Sequence, residues 1–441
     1  MLVGIAAGVQ AGARGNADRV LGIAAREQRP LLRERIEVPT TDPATTLGLL
    51  IAPAGAPSLE VGPMPLPEAT FDDNDDQNQT GDDFPGEAAG EASGFTILGA
   101  NPFDTFTYET EPNGLPILHS DLSAPAAIYI DFDGDTTRGD YGPYDIDGNP
   151  STFNATERAN IVECWRQASA YFAMFNVDVT TNKAVVTSGN PLQKPTAWMV
   201  MTPDINIGVS SVGVFPNTTS KSYGNGGYTT SRITIIPHEV GHNFGLRHTS
   251  EYNTLGVRTQ DYAGQLDPLH GPLMGYDYAG IVRKWTMWHR GVNSSGDPDP
   301  QTIQDDITVI ANKLMQHIGG DGYRPDDFGG TAGSIANATP LYVNGASQAI
   351  RGIIERMTDV DTFSFVSTGG RYAISATRDA PSGLDVKLSI YDSSGVLIAS
   401  EDGDPRAMPY TMVYDQYVTM DLAAGTYYAT IESHGNYGDL G

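Results

Sequence analysis

The sequence predicts an α/β (α+β) domain followed by an all-β sandwich, after an N-terminal region of little order. The chain of 441 residues is long enough for two or three domains. From about residue 116 to residue 325, apolar strand-like runs alternate with helical segments, which is typical of α/β proteins. From residue 326 to residue 441, short alternating runs are separated by Gly, Asp and Ser clusters, which is typical of a sandwich.

The N-terminal region is predicted to hold little structure. Residues 1–15 are apolar, and we expect them to be the remnant of a secretory signal, although no basic residue precedes the apolar run. Residues 16–36 are predicted to form a charged helix. The segment 71–93 carries eight acidic residues and no basic ones, so it cannot bury enough apolar surface to offset its ordering entropy. We therefore assign residues 16–115 to a propeptide or an acidic linker, largely disordered from about residue 40.

Charge and composition exclude some classes of partner. The net charge is −28, and a nucleic acid would be repelled by such a chain. The sequence contains no apolar stretch long enough for a transmembrane helix. The single cysteine, Cys164, excludes an internal disulfide, and we expect it to be a small buried hydrophobe. We expect the protein to be a monomer.

The elements of the first domain follow from apolar periodicity and end signals. A helix is predicted over about 155–173, because its apolar residues recur at intervals of three to four and Asn154 can cap it. A second helix is expected to close at Gly319. Predicted strands cover about 125–132, 175–181, 196–202 and 228–237.

The second domain is predicted from six strand-like runs. The last residues, NYGDLG, come before an expected closing strand, so we expect the domain to be cut short. The runs are DTFSFVS, RYAISAT, VKLSIYD, VLIAS, YVTMDL and TYYATIES.

The segment HEVGHNFGLRH, residues 238–248, carries the chemistry. On a helix, His238 and His242 lie on one face and can bind one metal ion, while Glu239 points elsewhere. That placement suits a residue that handles the proton of a metal-bound water. Gly245 can end the helix and let the chain return with His248 as a third ligand. Three protein ligands leave the fourth tetrahedral position open, as in a catalytic zinc site.

All five fixed positions of H-E-x-x-H-x-x-G-x-x-H are present, and in this the chain resembles the metzincin metallopeptidases. The resemblance implies a methionine turn beneath the metal, and Met274 in GPLMGYDY, 26 residues beyond His248, fits it. It also implies a tyrosine two residues later that binds zinc or stabilises the oxyanion. Tyr276 fits that spacing, and Tyr278 is the alternative.

Wider similarities cover both domains. Segments such as IYIDFDGD, FNVDVTT and RKWTMWHRG are similar to bacterial secreted, reprolysin/serralysin-like metzincins. The tail, with GIIERMTDVDTFSFVSTGGRYAIS and LAAGTYYATIES, resembles the bacterial pre-peptidase C-terminal domain. A secreted zymogen that requires Zn²⁺ is the expectation that follows from these resemblances.

The implied function is a secreted zinc endopeptidase that hydrolyses protein and peptide substrates by a zinc-bound water, with Glu239 as general base. By analogy with the fold, the strand before the helix or the segment SSVGVFP could pair with the substrate. Two alternatives stay open: a catalytically silent adhesive or binding protein, and a zinc amidase that acts on cell-wall peptides.

Calcium is a further expectation, because two loops are dense in oxygen ligands. They are DFDGD, with Asp131, Asp133 and Asp135, and DIDGN, with Asp145, Asp147 and Asn149. Neither loop matches an EF-hand, and solvated turns are the alternative for both.

Overall fold

The computed structural model describes residues 2–3, 47–53, 108–137, 141–226, 234–263, 270–275, 278–279, 282–283, 285–294, 303–344, 347–378, 384–402 and 416–433. The predicted helix over 16–36, the acidic segment 71–93 and Tyr276 lie outside these residues.

The described residues contain three α-helices and many short strands. The helices are α1 (Ala155–Phe172), α2 (Ile235–Phe244) and α3 (Asp306–Ile318). The strands of the N-terminal and first-domain regions are β1 (Leu2–Val3), β2 (Leu47–Pro53), β3 (Glu109–Thr110), β4 (Pro116–Ile117), β5 (Ala126–Asp131), β6 (Val177–Thr180), β7 (Thr196–Thr202), β8 (Ser222–Asn225), β9 (Glu251–Tyr252), β10 (Arg258–Gln260), β11 (His270–Pro272), β12 (Tyr278–Ala279), β13 (Val282–Arg283), β14 (Trp285–Met287), β15 (Arg290–Val292) and β16 (Ile303–Asp305). Those of the C-terminal region are β17 (Thr339–Pro340), β18 (Tyr342–Asn344), β19 (Ser347–Gly352), β20 (Val360–Arg378), β21 (Val386–Tyr391), β22 (Leu397–Glu401) and β23 (Gln416–Ser433).

A parallel four-stranded sheet, in the order β6-β5-β7-β8, forms the frame of the first domain. Every residue of β5 is buried, as expected for a parallel strand that is covered on both faces. Helix α1 connects β5 to β6, and the indole of Trp165 donates a hydrogen bond to the carbonyl oxygen of Val179. The mixed α/β character predicted for this domain is thus present.

The N-terminus of α1 is fixed by the residue that the sequence predicts. The Asn154 side chain accepts hydrogen bonds from the backbone N–H groups of Thr156 and Glu157, and the Glu157 carboxylate accepts from the backbone of Asn154. This capping box satisfies N–H groups that have no partner within the helix.

The expected strand over 228–237 is wrong at its end, because Ile235, Ile236 and Pro237 form the first turn of α2. Proline is tolerated there, since the N–H groups of a first turn have no acceptor within the helix. The last strand of the parallel sheet is instead β8, earlier in the chain. All ten residues of α2 are buried, which explains why its sequence resembles a strand.

The C-terminal region, as far as it is described, contains strands and no helix. Two pairs of predicted runs are each one long strand, β20 and β23, which pair antiparallel from Val360 opposite Glu432 to Ala376 opposite Gln416. Gly369 and Gly370 adopt φ values of 95° and 112°, which glycine can adopt without steric cost. The strand therefore passes through the position where the sequence suggests a break between two runs. The sheet order is β18-β19-β2-β20-β23-β21-β22, and an arrangement as two packed sheets remains a prediction.

Two short parts of the region expected to be disordered belong to sheets. Strand β2 pairs antiparallel with β19 and β20, so LGLLIAP joins the C-terminal sheet. The β3–β4 hairpin begins before residue 116, and the backbone N–H of Phe153 donates to the carbonyl oxygen of Asn113 within it. The hairpin thus packs against the start of the α1 region, and the domain boundary near residue 116 stays a prediction.

Candidate metal centre

Helix α2 and the turn after it bring the three histidines of the motif together. His238 and His242 lie one turn apart on α2. Gly245 ends the helix with φ 112°, a left-handed conformation that glycine adopts without steric cost, and its N–H donates to the carbonyl oxygens of Gly241 and His242. The chain then reverses and places the His248 ring 4.9 Å from that of His242, measured between centroids.

The ring nitrogens of these histidines have the spacing that a metal ion needs. One nitrogen from each of His238, His242 and His248 lies within 4.8 Å of the other two. The Nδ1 atoms of His238 and His242 are hydrogen-bonded to the carbonyl oxygens of Leu273 and Leu246, at 2.7 and 2.8 Å. A carbonyl can only accept, so each Nδ1 donates and each Nε2 carries the lone pair.

The residues present fit zinc. The Nε2 atoms of His242 and His248 are 3.2 Å apart, which suits two nitrogens that each lie about 2.0–2.1 Å from one tetrahedral ion. Burial first, and then the neighbouring His242 and His248, lower the pKa of His238 well below its usual value. The ring is therefore neutral at physiological pH, as a metal ligand must be.

A carboxylate that the sequence analysis missed supports the third histidine. Oδ2 of Asp261 lies 3.8 Å from Nδ1 of His248, and this interaction lowers the pKa of Asp261. Arg258 donates to the other carboxylate oxygen at 2.8 Å and holds it in place. The 3.8 Å separation is an ion-pair distance, longer than a hydrogen bond, and it places Asp261 on the side of the His248 ring where a carboxylate can orient a ligating imidazole.

Glu239 lies beside this centre and is wholly buried. Gly208 packs directly against it, since a Cβ atom there would lie 2.0 Å from Oε1 of Glu239 and 2.9 Å from Cγ1 of Ile235. The neighbouring Val209 pairs antiparallel with Tyr223 of β8 and adds an edge to the sheet. The edge segment, residues 208–211, therefore covers Glu239. No local sequence pattern indicates this contact.

Met274 lies beneath the helix in a turn, as its Gly-rich context predicts. It is wholly buried, and its sulfur would lie 2.9 Å from a Cβ atom at Gly241, so the thioether packs against α2. The backbone of the turn also contributes, because Leu273 accepts from His238 and Met274 accepts from the N–H of Thr249 at 2.7 Å. The turn thereby connects the helix to the chain that carries His248.

Tyr262, which was not chosen from the sequence, lies at this centre. Its ring centroid lies 4.0 Å from that of His248 and 6.5 Å from that of His238. Tyr278 belongs to β12, where its backbone pairs with Arg283. The preference for Tyr276 stays a prediction, because that residue is outside the described part of the chain.

Among the described residues, the carboxylates of the first predicted calcium loop do not come together at ligand spacing, and calcium there stays a prediction. Asp131 accepts from Trp198, whereas Asp135 pairs with Lys221 at 2.8 Å and accepts from Tyr223. These carboxylates are used separately by their protein partners. Asp133 accepts from Asn113, and no metal-competent group in the described residues includes it.

The second loop brings Asp145, Asp147 and Glu157 within ligand spacing. The backbone N–H of Asn149, the third residue expected to bind, donates to the first two carboxylates. Glu157 accepts from the backbone N–H groups of Ile146 and Asn154. Calcium in this loop remains a prediction.

Comparison with known proteins supports a metallopeptidase class. Residues 167–249 match the family model described as Metallo-peptidase family M12B Reprolysin-like. The matched segment runs from within α1 to the residue after His248 and so includes the whole motif. The match supports a metzincin-type metallopeptidase, a hydrolase of a family that uses zinc. No curated protein matches the chain.

Proposed function

We propose that this protein is a zinc-dependent endopeptidase. The observation that carries the proposal is the convergence of three histidine nitrogens within 4.8 Å, beside a wholly buried glutamate from the same helix. The family match over residues 167–249 supports the same chemistry. Protein and peptide substrates follow from the class of enzyme.

Metal binding, proton transfer and orientation of the ligands fall to different residues. His238, His242 and His248 would hold Zn²⁺, which lowers the pKa of a water ligand towards about 7 and polarises a carbonyl group. Glu239 takes the proton from the attacking water as general base and passes it to the leaving amine. Asp261 and the carbonyl groups of Leu273 and Leu246 keep the imidazoles oriented.

The substrate would bind along the edge segment. Val209 occupies the edge of the sheet, antiparallel to β8, and its side chain is exposed. An extended peptide can add to such an edge through backbone hydrogen bonds. Because Gly208 touches Glu239, a peptide in that position runs past the general base. Asn243 anchors the segment, since its side chain donates to Ser210 at 2.6 Å.

Several wider features belong to the proposal. The enzyme is secreted as a monomeric zymogen, residues 16–115 contain the propeptide or an acidic linker, and the C-terminal region is a pre-peptidase C-terminal domain. The apolar first residues and the acidic N-terminal segment support secretion and processing. No helix in the described part of the chain is long and apolar enough to span a membrane.

A substrate panel tests the proposal. Zinc-loaded protein, intact or cut at a protease site introduced within residues 71–93 so that β2 stays in the C-terminal sheet, is incubated with casein, gelatin and cell-wall muropeptides, and the new amino termini are identified. We expect internal cleavage of the proteins and none of the muropeptides. Hydrolysis of muropeptides alone would identify the amidase, and no hydrolysis by either form would support the silent binding protein.

A further inference from the structure

A second group of carboxylates lies far along the chain from the histidines. Asp326 and Asp327 precede β17, Glu355 and Asp359 lie between β19 and β20, and Asp361 is on β20. Oxygen atoms of Asp326, Asp327 and Glu355 lie within 4.8 Å of one another, and so do those of Asp326, Asp359 and Asp361. Since Asp326 belongs to both sets, the five side chains form one group, the carboxylate cluster.

The cluster contains acidic side chains that are removed from water. Glu355 and Asp361 are both wholly buried. Neither carboxylate oxygen of Asp361 has a hydrogen-bond partner within the described residues. A buried carboxylate without a donor is unfavourable unless it is protonated or bound to a cation. Gly352 lies close to it, because a Cβ atom there would be 3.1 Å from Oδ2 of Asp361.

Backbone donors fix the less buried members in position. The N–H groups of Phe328, Ile353 and Glu355 donate to Asp326, Asp327 and Asp359, at 3.1, 3.1 and 2.9 Å. These bonds orient the side chains and leave the cluster rich in negative charge. The carboxylates are thus arranged by the fold before any cation binds.

Within the described residues, the positive charge near the cluster is small compared with five carboxylates. Burial of the carboxyl group and the neighbouring acids raise the pKa of Asp327, and Arg324 acts to lower it. Burial and the same neighbours raise the pKa of Glu355 to about 10. Arg356 pairs with Asp321 outside the cluster. The group therefore requires protons or an added cation.

We propose that the carboxylate cluster is a calcium site. Calcium binds six to eight oxygen ligands in flexible geometry, and five carboxylates can supply them. The cluster contains no His or Cys, so it differs from the sites that zinc prefers. Magnesium requires near-ideal octahedral geometry and retains several waters, which a cluster with two wholly buried ligands does not favour.

The ligands come from three separate places in the chain, so a bound ion would connect these segments. Bound calcium would join the segment that leaves the first domain, at Asp326 and Asp327, to the turn before β20 and to β20 itself. Calcium would therefore hold this linker on the C-terminal sheet. The site does not depend on the proposed peptidase activity.

Calorimetric titration of the zinc-loaded full chain with calcium chloride tests the site directly. The chain carries Glu239→Ala to prevent self-cleavage and is first dialysed into calcium-free buffer that contains zinc. We expect one calcium ion at the cluster, counted as the difference in stoichiometry between the parent and the cluster variants, much weaker binding of magnesium, and a rise in Tm on calcium addition. Asp361→Asn should weaken calcium binding at least tenfold and remove the rise in Tm.

Two further variants make the result decisive. Asp326→Asn changes an exposed ligand common to both sets, so it reports on the site even if Asp361→Asn does not fold. Glu401→Gln, exposed on β22, is the matched control and should bind calcium as the parent does. The proposal is overturned if the parent binds no calcium, or if both cluster variants bind it with parental affinity. A higher Tm for Asp361→Asn with and without calcium would identify a protonated cluster instead.

Discussion

Replacement of Gly208 by alanine should remove most of the activity without removing zinc. The added Cβ would lie 2.0 Å from Oε1 and 2.8 Å from Cδ of Glu239, whereas ordinary contacts begin near 3.4 Å. The carboxylate or the edge segment must therefore move by roughly 1 Å or more, and a misplacement of that size can cost about 100-fold in rate. The side chain of Ile235 restricts the escape of the methyl group, since its Cγ1 would be 2.9 Å away.

The assay is steady-state cleavage of a fluorogenic peptide, with zinc content and Tm measured on the same preparations. We expect Gly208→Ala to lower kcat about 100-fold while zinc content stays near one per chain. Ser188→Ala, an exposed change in the loop between β6 and β7 and outside the edge segment, should keep kcat within about twofold. A Gly208→Ala variant with parental kcat and parental zinc content would refute the idea that this contact positions the general base.

The remaining predictions concern the ligand supports and the fold. Tyr262→Ala should weaken zinc binding about tenfold, because it removes the ring that packs on His248, whereas Tyr262→Phe should keep the parental zinc affinity. Competition for zinc with a chelator measures both affinities. Equal affinities of the two variants would contradict a role of the ring in supporting His248. Burial raises the pKa of Asp306 to about 7, so the folded state holds a proton that the unfolded state releases near pH 4. The contribution of Asp306 to stability is therefore full below about pH 4 and lost as pH rises to about 7. Asp306→Asn should make Tm depend less on pH between about pH 4 and pH 7. A slope of Tm against pH equal to that of the parent would contradict the raised pKa of Asp306. Asn154→Ala should lower stability by about 1 kcal/mol in urea unfolding through loss of the capping box, and a change within error would mean that the cap is redundant.

The sequence was most informative where local geometry determines the structure. The spacing of His238, Glu239 and His242 has a fixed meaning on one helix, and Gly245 indicates the reversal that brings His248 close. Asn154 and Gly319 likewise identify helix ends through interactions with their immediate neighbours. These features required no knowledge of tertiary structure.

Contacts between distant segments could not be predicted in this way. Gly208 meets Glu239 only because Val209 pairs with β8, and Asp261 and Tyr262 reach His248 from a loop without a periodic pattern. The carboxylate cluster unites residues from the linker, a turn and a strand. Strands β20 and β23 continue through glycines that by themselves indicate turns, because pairing between the two strands outweighs the local preference.

The most direct test of the zinc peptidase compares the parent with Glu239→Ala, measuring zinc content and casein cleavage on the same samples. The histidines coordinate through nitrogens that Glu239 does not contact in this mechanism, so both proteins should carry about one zinc per chain. Only the parent should cleave casein, with the variant at least about 100-fold slower. Parental cleavage by a zinc-loaded Glu239→Ala protein would contradict the role of Glu239, and a parent that binds no zinc would contradict the metal centre itself.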